Sequence, residues 1–192
     1  MAVYVSLPLS GPRQADGADA ADGARLAWEQ AGESAGELEV RAHFLDDAGG
    51  SRWDPVAVGR NARSAVQDAS TAAYIGELES QPTRASLPIT NRAGIAQISP
   101  GAGGVDLTRA VEGYPDSPDR YRPSGKASFA RVIPDDAAQA AAAADWAAEL
   151  GPGRAATVAE QSPFGELTVA EFENAAREVG VEIVEPGARA PL

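Results

Sequence analysis

The sequence predicts an α/β fold with doubly wound, mostly parallel sheets. Short Val/Ile/Leu-rich runs alternate with alanine-rich amphipathic stretches along the whole chain, the signature of a parallel sheet covered on both faces. Apolar residues make up 44% of 192 positions, enough for one good core or two small ones. Capping residues fall where the periodicity changes.

In order, "VYVSLPL" (3–9) reads as the first strand, followed by a helix in "DAADGARLAWEQAG" with Ala20, Ala24, Ala27, Trp28 and Ala31 on one face. "ELEVRAHFLDD" (37–47) alternates Leu38, Val40, Ala42 and Phe44 with polar residues, as a half-buried strand does, and puts His43 on the opposite side. In "DPVAVGRNARSAVQDA", Asp54 suits an N-cap and Pro55 the first helical position, with Val58, Ala62, Ala65, Val66 and Ala69 as the apolar stripe. "TAAYIG" (71–76) and "GIAQIS" (94–99) are short buried strands, and Pro82 and Pro88 predict a short or irregular helix between them.

Residues 112–125 read as surface loop and "ASFARVI" as a strand. The strongest helix is "PDDAAQAAAAADWAAELG", capped by Asp135 or Asp136 and stopped by Gly151-Pro152-Gly153. A strand "RAATVAEQ", a helix "FGELTVAEFENAAREVG" and a strand "VEIVE" follow, with "PGARAPL" as a tail.

Composition removes several functions. The net charge of −12, with Lys126 the only lysine, repels nucleic acid and anionic membranes. The chain has no cysteine, so disulfides and thiolate chemistry are excluded, and with His43 its only histidine no multi-histidine metal site is possible. No apolar stretch is long enough to cross a membrane. The opening residues read as a strand and not as a basic-then-apolar leader, so no signal peptide is expected within this chain.

The glycine loop in "ISPGAGGVDLT" (98–108) follows a strand, where α/β sheets bind ligands. It lacks the Gly-Lys-Ser/Thr of a phosphate loop, and Asp106 stands where a dinucleotide fingerprint needs its third glycine. A plain turn and a carboxylate cradle both stay open. The pairs Asp46-Asp47 and Asp135-Asp136 read as strand-end and helix-start acids, not as metal or acid–base centres. Without a nucleophile elbow or a complete catalytic set, the residues give no enzyme and no cofactor.

Several segments together resemble one family: "LPLSGP", "DGARLAWEQ", "LDDAG", "DPVAVGRNA", "YIGELES", "AGIAQISPGAGGVDLT", "ARVIPDDAAQ" and "SPFGE". They look like the type I solute-binding proteins of branched-chain amino-acid transporters, also called extracellular ligand-binding receptors. The resemblance implies a periplasmic-binding-protein-like type I fold, a first lobe over 1–133 and the start of an incomplete second lobe over 134–192. It further implies a small carboxylate-bearing ligand, an ABC transporter permease as partner, and an extracellular or periplasmic location.

Carried over, Ser80 matches the serine that meets the ligand carboxylate, and Gly101, Ala102 and Gly103 match the loop that completes that pocket. Phe164 matches an aromatic on the facing lobe, and Asp16 occupies a position where an aromatic can cover the ligand. Two departures bear on the ligand: Gly103 stands where amino-acid binders tend to have threonine, and Asp16 replaces an aromatic. The lack of a leader in the chain keeps a second expectation, a cytoplasmic ligand-sensing domain controlling an attached output domain. An incomplete second lobe leaves apolar faces that a homodimer would cover.

Overall fold

The computed structural model describes residues 1–111, 114–151, 153–160 and 162–189. By backbone packing the chain divides into two compact units, Met1–Ile133 and Pro134–Leu192.

The first unit is built on five parallel strands: β1 (Ala2–Leu7), β4 (Arg41–Asp46), β5 (Thr71–Ile75), β6 (Ala96–Ser99) and β7 (Phe129–Arg131). A two-residue antiparallel pair, β2 (Ser34–Ala35) and β3 (Leu38–Glu39), interrupts the segment before β4. Leu38 therefore sits outside the main sheet and is exposed, whereas the sequence pattern placed it on the strand's inner face. The sheet order is β4-β1-β5-β6-β7. Strand order reverses between β1 and β5, so the crevice that such sheets offer to ligands opens beyond Leu7 and Ile75.

Helix α1 (Gln14–Gln30) buries Ala21 against Val5 and Leu7, with Ala20 and Ala24 beside it, and sets Gly17 against the Pro8 backbone. Ala27 and Ala31 are exposed, so the inward stripe is rotated from the predicted one. Helix α2 (Pro55–Gln67) starts as its sequence dictates: Asp54 accepts a hydrogen bond from Val56 N at 2.8 Å, and Pro55 opens the first turn. Val58, Ala62 and Ala65 are buried, while Val66 and Ala69 reach solvent. Asp54→Ala should cost about 1 kcal/mol, read as a fall in Tm of about 2–4 °C in thermal denaturation.

Helix α3 (Ser80–Arg92) corrects the expectation of a short or irregular helix, for it runs thirteen residues through both prolines. Pro82 lies in the first turn, where its missing N–H has no helical acceptor anyway. Pro88 gives up one interior bond, and that loss is offset by burial of Thr83, Ser86, Leu87, Thr90 and Asn91 around it. The loop segment 114–125 closes with Tyr121 buried against Leu87, Ala102 and Leu107; of the predicted loop, 112 and 113 lie outside the described residues.

The second unit pairs helices α4 (Asp136–Glu149) and α5 (Pro163–Glu178) with parallel strands β8 (Arg154–Ala159) and β9 (Glu182–Arg189). Asp135 is the residue that caps α4, accepting from Ala138 N at 2.9 Å, and Ser162 caps α5 through Gly165 N at 3.0 Å. Ala144, Ala176 and Val181 form the core. Strand β9 extends through Pro186 to Arg189, into what the sequence alone read as a tail. Its ladder with β8 shifts register twice, and such irregularity lets a two-stranded edge tolerate proline.

Candidate ligand-binding site

The carboxyl edge of the first sheet rests on a buried polar network. Glu77, just past β5, accepts hydrogen bonds from Tyr74 Oη and Ser86 Oγ, each at 2.5 Å. Gln97 Nε2 donates to Ser86 Oγ at 2.8 Å and to the Gly76 carbonyl at 2.9 Å, and Thr90 Oγ1 donates to Gln97 Oε1 at 2.6 Å. All five side chains are buried. Burial pushes the Glu77 carboxyl up to about 8, against the lowering effect of its hydrogen bonds to Ser86 and Tyr74. The shift raises the share of Glu77 that stays protonated near neutral pH. Such satisfied networks fix a single arrangement of the elements they join, here β5, α3 and β6.

Above this network the glycine loop and the start of α3 are locked together. Gly104 N donates to Ser80 Oγ at 2.9 Å. Ser99 Oγ, itself donating to the Glu77 carbonyl at 2.5 Å, accepts from Ala102 N at 2.8 Å and Gly101 N at 3.2 Å. Arg131 Nη1 donates to the carbonyls of Gly103 at 2.6 Å and Gly104 at 3.0 Å. Glycine is required by contact: a Cβ on Gly101 would lie 2.6 Å from the Leu78 carbonyl oxygen, and one on Gly104 would lie 2.9 Å from both Arg84 Nη2 and Asp106 Oδ1.

Asp106 and Arg84 form a two-pronged ion pair, Nε to Oδ2 at 2.8 Å and Nη2 to Oδ1 at 2.7 Å, and Tyr121 Oη donates to Oδ2 at 2.7 Å. Burial pushes the Asp106 carboxyl up, but Arg84 and Tyr121 outweigh it and hold it below the usual carboxylate range. The acid that breaks the dinucleotide pattern therefore serves as the anchor of the loop.

On the other side of the α3 start, Glu79 is gripped by Arg13, from the segment after β1, and by Arg52, whose Nη2 lies 2.9 Å from Oε1. Glu79 occupies the N-cap position yet makes no side-chain capping bond. The first-turn amides of Ser80 and Gln81 have no acceptor within the helix, and the helix dipole there favours an anion. Arg13 and Arg52 hold the Glu79 carboxylate in two ion pairs, neutralising an acid that would compete for that end.

A narrow cleft lies here, lined by Pro8, Asp47, Arg52, Trp53, Leu78, Glu79 and Pro82. Asp46 ties the β1 segment down, accepting from Leu9 N at 2.9 Å, Ser10 Oγ at 2.6 Å and Ala48 N at 3.0 Å. Asp47 differs: it is 1% exposed, and neither carboxylate oxygen has a hydrogen-bond partner.

Of the residues singled out from the sequence, Ser80, Gly101, Ala102 and Gly103 come together on this edge. The amides of Gly101 and Ala102 are turned onto Ser99, and Gly104 N is the loop amide that meets Ser80. Asp16, in the first turn of α1, is exposed and paired with Arg13. Phe164 belongs to the second unit, in the first turn of α5, and is 56% exposed. His43 is exposed and stacks on Tyr4, ring centroids 4.7 Å apart.

Sequence reasoning missed Glu77, Arg84, Asp106 and Arg131 as site builders. An acid directly after a buried strand, as in "YIGELES", was the available signal for Glu77. The partners of Asp106 lie 15 and 22 residues away, and no local pattern links them.

Among curated proteins no sequence match is found. Among solved structures, the chain is similar over its whole length to an ABC transporter substrate-binding protein from Sphaerobacter thermophilus, at 27% identity and a TM-score of 0.82, covering 48% of that chain. It is also similar to a solute-binding protein from Rhodopseudomonas palustris BisB5 in complex with 3,4-dihydroxybenzoic acid, at 21% identity and TM-score 0.79, all of this chain aligning with 47% of that one. A third is a substrate-binding protein from Desulfitobacterium hafniense in complex with Leu, at 22% identity and TM-score 0.78, all of this chain aligning with 51% of that one. The chain thus spans about half the length of the solved structures it matches. The family described as periplasmic binding protein matches residues 4–190, and the chain belongs to that family.

Proposed function

We propose that the chain is the ligand-capturing part of a solute-binding protein that delivers a small carboxylate-bearing molecule to an ABC importer, without catalysis. Units Met1–Ile133 and Pro134–Leu192 correspond to the first lobe and the beginning of the second. The reading places the protein outside the cytoplasm, with the transporter permease as its partner. Among the described residues no helix is long and apolar enough to cross a membrane.

One observation carries the reading. Gly104 N donates to Ser80 Oγ at 2.9 Å, so the serine's own proton is left to donate outward. That hydroxyl sits at the first residue of α3, beside the amides of Ser80 and Gln81. Hydroxyl, amides and dipole form a compact anion receptor. The ligands in two of the similar structures, 3,4-dihydroxybenzoic acid and Leu, share a carboxylate and little else. Gly103 adds no hydroxyl to the receptor and takes no room beside it, which favours an aromatic or other bulky acid over a simple branched-chain amino acid. Phe164 and Asp16 are assigned to the ligand's other faces by resemblance alone. No observation favours the cytoplasmic sensor.

Titration of the chain with benzoate, 3,4-dihydroxybenzoate and leucine by calorimetry tests this. At least one acid should bind, and Ser80→Ala should weaken it about tenfold, the loss of one hydrogen bond to a charged group. Unchanged affinity in Ser80→Ala would remove the serine from the site.

A further inference from the structure

We propose that Arg131 is a positioning residue of the anion receptor at Ser80, fixing which end of the Gly103–Gly104 peptide faces the serine. The inference rests on the reading of Ser80 as a carboxylate contact and adds to it the group that sets the direction of its proton. The Gly103 carbonyl and the Gly104 N–H are two ends of one planar trans peptide, and they point in opposite directions. Arg131 Nη1 donates to that carbonyl at 2.6 Å, and the N–H donates to Ser80 Oγ at 2.9 Å. One peptide unit is therefore held from both sides, by the end of β7 on one and the start of α3 on the other.

Without such a hold the peptide has two orientations open to it. It lies between two glycines, whose backbone dihedrals are free enough to turn the unit by half a rotation. A rotated unit would bring the Gly103 carbonyl toward Ser80. The hydroxyl would then donate to that carbonyl, and the proton that a ligand carboxylate needs would be used inside the protein. Arg131 opposes this, because a guanidinium only donates and so keeps a carbonyl on its own side. Nη1 also reaches the Gly104 carbonyl at 3.0 Å, and Nη2 donates to Thr108 Oγ1 at 2.9 Å, so the fork spans the loop. Gly103 and Gly104 are buried, and a charge-assisted bond there is stronger than a neutral one. Donation to the carbonyl also polarises the unit and strengthens its N–H toward Ser80. Arg84, the other guanidinium against Gly104, is committed to Asp106.

Amide hydrogen exchange of the 15N-labelled, ligand-free chain is the first test. In Arg131→Met the Gly104 amide should exchange about tenfold faster, as expected for the loss of one net hydrogen bond. The Gly101 and Ala102 amides, which bond Ser99 Oγ, should keep their parent rates, which separates reorientation of one peptide from a general loosening of the loop. Arg131→Lys keeps the charge and loses the fork, so it should show the same selective change at about threefold. It decides the matter should Arg131→Met fail to fold. Calorimetry is the second arm, with whichever of benzoate, 3,4-dihydroxybenzoate and leucine the parent binds tightest. Arg131→Met should weaken that acid about tenfold, but by less than about twofold when Ser80 is already alanine, because its effect runs through the serine. Unchanged exchange at Gly104, a matching rise at Gly101 and Ala102, or additive losses in the double variant would each overturn the role. If the parent binds none of the three acids, the receptor at Ser80 falls and this role with it. If it binds one and Arg131→Met binds that acid equally well, only the role of Arg131 falls.

Discussion

Asp106→Ala should destabilise the first unit by about 3 kcal/mol, the low end of what removing one partner of a buried ion pair costs. The low end applies because Arg84 keeps 19% of its side chain exposed and can rehydrate in part, whereas Asp106 is fully buried. The loss has two sources: an uncompensated guanidinium, and a Tyr121 hydroxyl without its acceptor. Arg84→Met combined with Asp106→Leu should recover much of the stability, since the unpaired charge is gone. Urea unfolding of the three proteins checks this. A loss under about 1 kcal/mol for Asp106→Ala would mean that the pair behaves like a surface salt bridge and does not anchor the glycine loop.

The second large effect is a stability that falls as pH rises toward neutrality. Glu77 and Asp47 both have folded pKa values raised above their ordinary ones, to about 8 and about 7. Between the ordinary and the raised value the native state binds more protons than the unfolded chain, so each contribution is complete at low pH and lost as pH climbs through that window. Each group adds a slope of up to about 1.4 kcal/mol per pH unit. Asp46 and Asp106 act oppositely, since their lowered values give stability that disappears only below the ordinary carboxylate range.

The maximum is therefore expected near pH 4–5, with a decline to pH 8. Glu77→Gln keeps a neutral, hydrogen-bonding side chain and should flatten the decline, most clearly between pH 7 and pH 8, where Asp47 has largely ionised. Urea midpoints from pH 5 to 8 read this directly. A parent midpoint that rises with pH, or an identical slope in Glu77→Gln, contradicts the buried-acid account.

Strand and helix identities were readable because they depend on near neighbours in sequence. The Asp54-Pro55 cap, the alternation around His43 and the alanine runs all act within one or two turns. The failures share a cause in long-range packing. Pro82 and Pro88 pointed to a short or irregular helix, and α3 runs thirteen residues because tertiary contacts bury the residues on either side of Pro88. Residues 186–189 looked like a tail, and they form strand because β8 offers a ladder.

Ser80 and the glycine loop were legible through motifs in order, but the chemistry holding them was not. Asp106 read as a flaw in a nucleotide fingerprint, and its meaning depended on Arg84 and Tyr121, which only the fold brings near. Asp46 and Asp47 are adjacent and looked equivalent. The Asp46 carboxylate accepts three hydrogen bonds and the Asp47 carboxyl none, a difference that the loop after β4 sets and no local pattern shows.

The central claim is that the edge at Ser80 selects a carboxylate. Calorimetric titration of the chain with 3,4-dihydroxybenzoic acid and with its methyl ester tests it most directly, since only the acid carries a carboxylate charge. The account predicts that the acid binds and the ester binds at least about tenfold more weakly. Equal affinity for acid and ester, or binding of the ester alone, would contradict it.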